Sequence, residues 1–181
     1  MTLLEMLTGA LTLLERGTDA QTVESWRDKL TRYLNDAILD MAGAVQPRRT
    51  EEVQLVSNRL DLTALSRGCV KVLRLTRGGD RYAFYYGAGT DRLYVPGVSD
   101  GPMLVTYRYA PAPLAFDTDV PDLPEETHGA LIQYAVARER AMGDHASISS
   151  ARACFELYLA ARSRLRPHAG ESDAYRIENR Y

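Results

Sequence analysis

Four prolines in fourteen residues, Pro111, Pro113, Pro121 and Pro124, constrain this chain more than any other feature. Each proline removes a backbone donor, and each pushes the residue before it out of the helical region. No helix and no central strand can run through this stretch, so the chain divides around it. Asp117, Asp119, Asp122, Glu125 and Glu126 crowd the same segment, which reads as a solvated acidic strut over residues 111–126. Pro124 suits the first position of a following helix, and Glu125 and Glu126 complement its dipole.

The hydrophobic period changes on either side of that strut. Leu3, Leu4, Leu7, Leu11 and Leu14 recur at helical spacing, with Arg16-Gly17 as the expected stop. Asp19 or Thr22 caps a second helix whose stripe is Val23, Trp26, Leu30, Tyr33, Leu34, Ala37, Ile38 and Met41; Gly43 and Pro47 are its expected end. The two form an expected antiparallel hairpin over residues 1–45. Period two then takes over. An extended pair turns at Ser57-Asn58, residues 69–75 alternate as a half-buried strand, and Gly78-Gly79 returns the chain into one strand over residues 81–86. Residues 93–95 and 103–109 complete an antiparallel sheet over residues 51–110. Beyond the strut, Leu131, Tyr134, Ala135, Arg138 and Met142 mark one helix face. Ile148, Ala151, Phe155, Tyr158, Leu159 and Leu165 are expected inward on a last helix. The expected fold is therefore α+β and mainly helical: an N-terminal helical hairpin, a small inserted antiparallel sheet, a helix pair over residues 127–165, and an extended tail over residues 166–181. Residues 1–165 are expected to form one domain.

Little in the sequence points to catalysis. His128, His145 and His168 stand in no metal-binding spacing, and His128 reads as an ordinary, partly exposed side chain. No serine occupies a nucleophile elbow, and Gly87-Ala88-Gly89-Thr90 opens no helix, so it reads as a turn. The acidic run lacks the glycine and terminal glutamate of a calcium loop. Cys69 and Cys154 lie far apart, which suggests neither a zinc ribbon nor a disulfide framework and fits a reducing compartment. No apolar stretch is long enough to span a bilayer. Catalytic, cofactor and metal residues are all expected to be none, and the expectation is a non-enzymatic protein without membrane partner. Net charge is −2, although Arg outnumbers Lys by twenty to two, so general attraction to nucleic acid is weak. The tyrosine-rich strands with Arg81, Arg92 and Arg108 fit either a stacking platform for single-stranded nucleic acid or a protein interface. In the tail, Tyr175, Ile177 and Tyr181 alternate with Arg176, Glu178 and Arg180. A frayed terminus is one reading; a segment that orders on a partner is the other.

The run from Val105 through Tyr107, Pro111 and Leu114, then Asp117, Asp119, Pro121, Pro124-Glu125-Glu126, His128, Leu131 and Tyr134-Ala135, resembles the head–tail adaptor (connector) proteins of tailed bacteriophages. Upstream, Asn58-Arg59-Leu60-Asp61-Leu62 resembles that family's segment before its first core strand. Leu60 replaces the usual Tyr, Thr63 the usual Pro, and Thr127 stands where Tyr is commoner. The resemblance covers about residues 53–165. It implies a homo-oligomeric ring, usually of twelve subunits, beneath the portal of a virion at the head–tail junction, made in the host cytoplasm. Such a ring extends the channel for genome DNA without sequence-specific binding and receives the next neck or tail protein. By the same resemblance Arg166, Tyr175, Arg176, Ile177, Arg180 and Tyr181 form a portal-docking tail. The hairpin tip Arg77, Gly78, Gly79, Asp80 and Arg81 faces the tail or lumen, and Pro111, Pro113, Pro121 and Pro124 form a hinge. A tail-terminator or stopper subunit is the alternative within phage assembly.

Overall fold

The computed structural model describes residues 1–87, 89, 91–143 and 145–165. Its elements are helices α1 (Leu3–Leu13) and α2 (Ala20–Val45), strands β1 (Arg48–Val56), β2 (Arg59–Asp61), β3 (Cys69–Arg77), β4 (Asp80–Tyr82), β5 (Tyr85–Tyr86), β6 (Arg92–Tyr94) and β7 (Gly101–Tyr109), then helices α3 (His128–Arg140) and α4 (His145–Arg164). The α+β class holds: four helices accompany a seven-stranded antiparallel sheet.

Local chemistry sets the helix ends. Thr2 and Glu5 form a capping box at α1: the Thr2 hydroxyl accepts the Glu5 N–H, and the Glu5 carboxylate accepts the Thr2 N–H at 2.9 Å. Asp19 caps α2 by accepting both the N–H and the hydroxyl of Thr22, which holds its carboxyl below the usual range. The expected stops are corrected. Glu15, not Gly17, takes the left-handed conformation after α1, at φ 57°. Gly43 lies inside α2, and Gln46 ends that helix at φ 51° while its N–H bonds the Ala42 carbonyl. A hydrogen-bonded glutamine outweighs the modest steric cost of left-handed backbone.

The sheet runs in the order β4-β3-β7-β1-β2-β6-β5. Ser57 and Asn58, both at positive φ, make a two-residue turn of the type that matches strand twist. The single return strand expected over residues 81–86 is split. Asp80–Tyr82 pairs with β3 at one edge of the sheet, and Tyr85–Tyr86 pairs with β6 at the opposite edge. Only two residues separate β4 from β5, so the sheet curls until its edges approach each other. Across that seam the Tyr86 hydroxyl accepts the Val72 N–H at 3.1 Å. Val53, Leu55, Leu60, Val105 and Tyr107 fill the concave side. There the Tyr107 hydroxyl donates to Glu51. Burial alone would push the Glu51 carboxyl up, but bonds from Ser66 and Tyr107 outweigh it and hold the carboxyl low.

The helices gather around a separate core that includes Leu3, Leu7, Leu34, Ile38, Leu131 and Val136. The proline segment belongs to this core, which corrects the expectation of a solvated linker. Asn35 grips Leu114 on both sides, donating to its carbonyl at 3.1 Å and accepting its N–H at 2.8 Å. Carbonyls of Asp119 and Asp117 accept the Leu3 and Leu4 N–H groups, two of the orphan donors at the start of α1. Arg27 pairs with Asp117. Pro111 and Pro121 are buried, and Pro113 and Pro124 are exposed. Pro124 precedes the helical region instead of occupying its first position: it caps a 3-10 turn, Glu125–Thr127, that runs into α3. His128 is also corrected. It is buried, with its ring 3.0 Å from the Met1 amine and 3.3 Å from the Leu123 carbonyl.

Candidate assembly surfaces

Helix α4 departs furthest from the expectation. Of the six residues read as inward, only Ala151 and Tyr158 are buried, and Leu165 is half-buried; Ile148, Phe155 and Leu159 are exposed. Tyr158 bolts the helix down. Its hydroxyl donates to the Asp40 carboxylate, which also pairs with Arg162 at 2.9 Å. Burial and that carboxylate both push the Tyr158 phenol well above its usual range. Tyr134, Phe155 and Tyr158 form an aromatic cluster between α3 and α4, with centroids 5.0 to 6.1 Å apart. Beside the buried Tyr158, Ile148, Phe155 and Leu159 stay 40% to 47% exposed along one helical flank and leave apolar surface facing out. Contiguous patches of that kind mark interaction sites.

A second surface lies on the sheet. Register sets Val56 opposite Arg59, Arg59 opposite Tyr94, and Tyr94 opposite Tyr85. All four are exposed, because their neighbours Leu55, Leu60 and Leu93 face the core. The structure scatters the other aromatic candidates: Tyr107 is buried, Tyr82 is half-buried, and Phe84 meets Tyr86 edge to face at 6.0 Å. Arg81 and Arg92 are exposed, and Arg108 is half-buried on the central strand β7.

At the β3–β4 tip, Gly78 and Gly79 take φ of 61° and 96°, and Asp80 and Arg81 are exposed. Arg77 points back. Its guanidinium donates to the carbonyls of Ser99, Gly101 and Pro102 and fastens the loop before β7. Of the four prolines, Pro111 lies near Leu39 and Ala42 of α2, and Pro121 and Pro124 lie near Val45 and Tyr109. Arg166, Tyr175, Arg176, Ile177, Arg180 and Tyr181 lie outside the described residues. Sequence reasoning missed the outward apolar face of α4, because helical spacing says which residues share a face and not what covers it.

The family comparison gives the class of protein: the profile described as SU10 adaptor protein matches residues 1–180. The chain belongs to that adaptor family. Membership bears out the resemblance to tailed-phage head–tail adaptors and makes the protein a phage adaptor, one that meets other head or tail proteins. Comparison with curated proteins returned no match. Among the described residues of this adaptor, no helix is long and apolar enough to cross a membrane.

Proposed function

We propose that this adaptor forms a ring beneath a phage portal, extending the DNA channel and presenting a landing surface to the next neck or tail protein. It does so without a catalytic step. The observation that carries the reading is one flank of α4, where Ile148, Phe155 and Leu159 share a helical face and remain exposed on a helix that packs mainly on α3. Copies in a ring meet head to tail, so each needs two different surfaces. The α4 face and the Val56–Arg59–Tyr94–Tyr85 row on the sheet supply two. The four helices weigh against a tail-terminator or stopper, the alternative within the same assembly. Twelve copies, docking at the virion's head–tail junction through Arg166, Tyr175, Ile177 and Tyr181, complete the proposal. The hairpin tip at Asp80 and Arg81 is assigned to the tail-facing or lumenal contact.

The test is to mix purified protein with portal rings and image the product by negative stain. Added density as a closed annulus on the portal is expected, and it should vanish with Leu159→Asp. Monomers that never decorate the portal at any ratio would overturn the reading.

A further inference from the structure

The three central strands carry a row of like charge. Register sets Arg48 opposite Arg108 and Arg108 opposite Lys71, on the face turned away from the sheet core. One step along, Arg74 stands opposite Thr106, whose hydroxyl lies 3.0 Å from that of Thr50. Like charges directly opposed across strands destabilise a sheet. The Nε atoms of Arg74 and Arg108 are buried without a hydrogen-bond partner, a costly state for a charged group. Beside this row runs an apolar groove of about 260 Å³ between α2 and the sheet, lined by Leu39, Ala42, Pro47, Val70, Pro111 and Arg108. Leu39 is 58% exposed and Val70 67% exposed. The site thus asks for an occupant that brings carboxylates and large apolar side chains together.

The chain carries such a segment, and it follows a helix packed on α2. Arg162 and Tyr158 both reach Asp40, so the last turns of α4 lie against α2, the helix that supplies Leu39 and Ala42 to the groove. From Leu165 the ten residues to Tyr175 can span ~33 Å when extended. At alternate positions from 171 to 177 stand Glu171, Asp173, Tyr175 and Ile177, while Arg176 and Arg180 fall between them or beyond. Two acids followed by two apolar residues on one edge match the cation row and the groove.

We propose that residues 171–178 dock on this site of their own chain, with Glu171 and Asp173 toward Lys71, Arg74 and Arg108, and Tyr175 and Ile177 in the groove. A DNA phosphate backbone would satisfy the cations too, but it would leave Leu39 and Val70 in water. The proposal does not rest on ring formation or on portal docking. It gives the same segment a resting place in the isolated subunit, so the test needs neither ring nor portal.

The full chain carrying Cys69→Ser and Cys154→Ser receives Val70→Cys with Ile177→Cys. A control receives Val56→Cys with Ile177→Cys, since Val56 is 60% exposed at the far end of β1. Under mild oxidation at low protein concentration, the first pair is expected to form an intrachain disulfide about tenfold faster than the control. Removing a cation through Lys71→Glu or Arg74→Glu should slow it about threefold, the scale of one partly exposed ion pair. Equal rates for the two pairs would overturn the proposal, and so would a product that links only different copies. Duplex DNA binding that requires Lys71 and Arg74 and is unchanged by deleting residues 166–181 would instead assign the patch to nucleic acid.

Discussion

Helices α2 and α4 look alike in sequence, each with large apolar residues at helical spacing, yet they do opposite things with them. Along α2, Val23, Leu30, Leu34, Ile38 and Met41 are all buried, and the helix is enclosed by α1, α3 and the proline segment. Along α4 only Ala151 and Tyr158 are buried. The first helix is a foundation and the second is a presented surface. An apolar stripe therefore signals burial without saying whether the cover comes from the same chain.

Four substitutions or conditions break or sharpen this comparison. The largest effect belongs to α2. Leu34→Ala, at a fully buried site, should cost about 2–5 kcal/mol in urea unfolding; a loss below about 1 kcal/mol would end the claim that α2 is the foundation.

Next comes His128 on α3, the helix between the other two. Burial, and then the positive Met1 amine, hold its imidazole below the ordinary 6.5. The unfolded chain therefore takes up the proton first as pH falls. The associated stability is complete above 6.5 and drains away below it, with a slope of at most ~1.4 kcal/mol per pH unit. Urea midpoints at pH 7.5 and 5.5 check this, and a flat profile would count against a neutral His128. Acid should loosen both helices together, because α3 packs against each.

How much of this was legible in the sequence varies with the range of the cause. Asp19 and its Thr22 partner sit three residues apart, so the cap could be read directly. The Ser57-Asn58 turn was equally local. The split of residues 81–86 was not, because Tyr82, Tyr85 and Tyr86 look like one aromatic strand until the curl of the whole sheet brings its edges together. Asn35 gripping Leu114 was also hidden, since 79 positions separate the pair. At the candidate surfaces, Asp80 and Arg81 were correctly read as a tip, but nothing nearby revealed that Arg77 folds back onto Ser99 and Pro102. Leu157 was passed over because it stands roughly 200° around α4 from Phe155, off the apolar spacing.

Tyr158→Phe is a smaller perturbation. Removing its hydroxyl from Asp40 should cost about 1 kcal/mol, the scale of one hydrogen bond, and it should loosen α4 while sparing α2. Hydrogen exchange resolved by helix distinguishes the two; equal deprotection of both would erase the contrast. Leu159→Ser should move the unfolding midpoint least, within about 0.5 kcal/mol. Its effect belongs in sedimentation of the assembled state, and a stability loss as large as that of Leu34→Ala would place α4 in the foundation after all.

The two-residue crossing between β4 and β5 has a consequence for what the molecule avoids. Its sheet ends in strands of three and two residues that lie close to one another, so each terminal strand offers a stranger's backbone only a short ladder. Edge-to-edge growth is how sheet proteins run away into filaments. The ring proposed above would be better served by an adhesive surface on a helix, where contact geometry can close on itself.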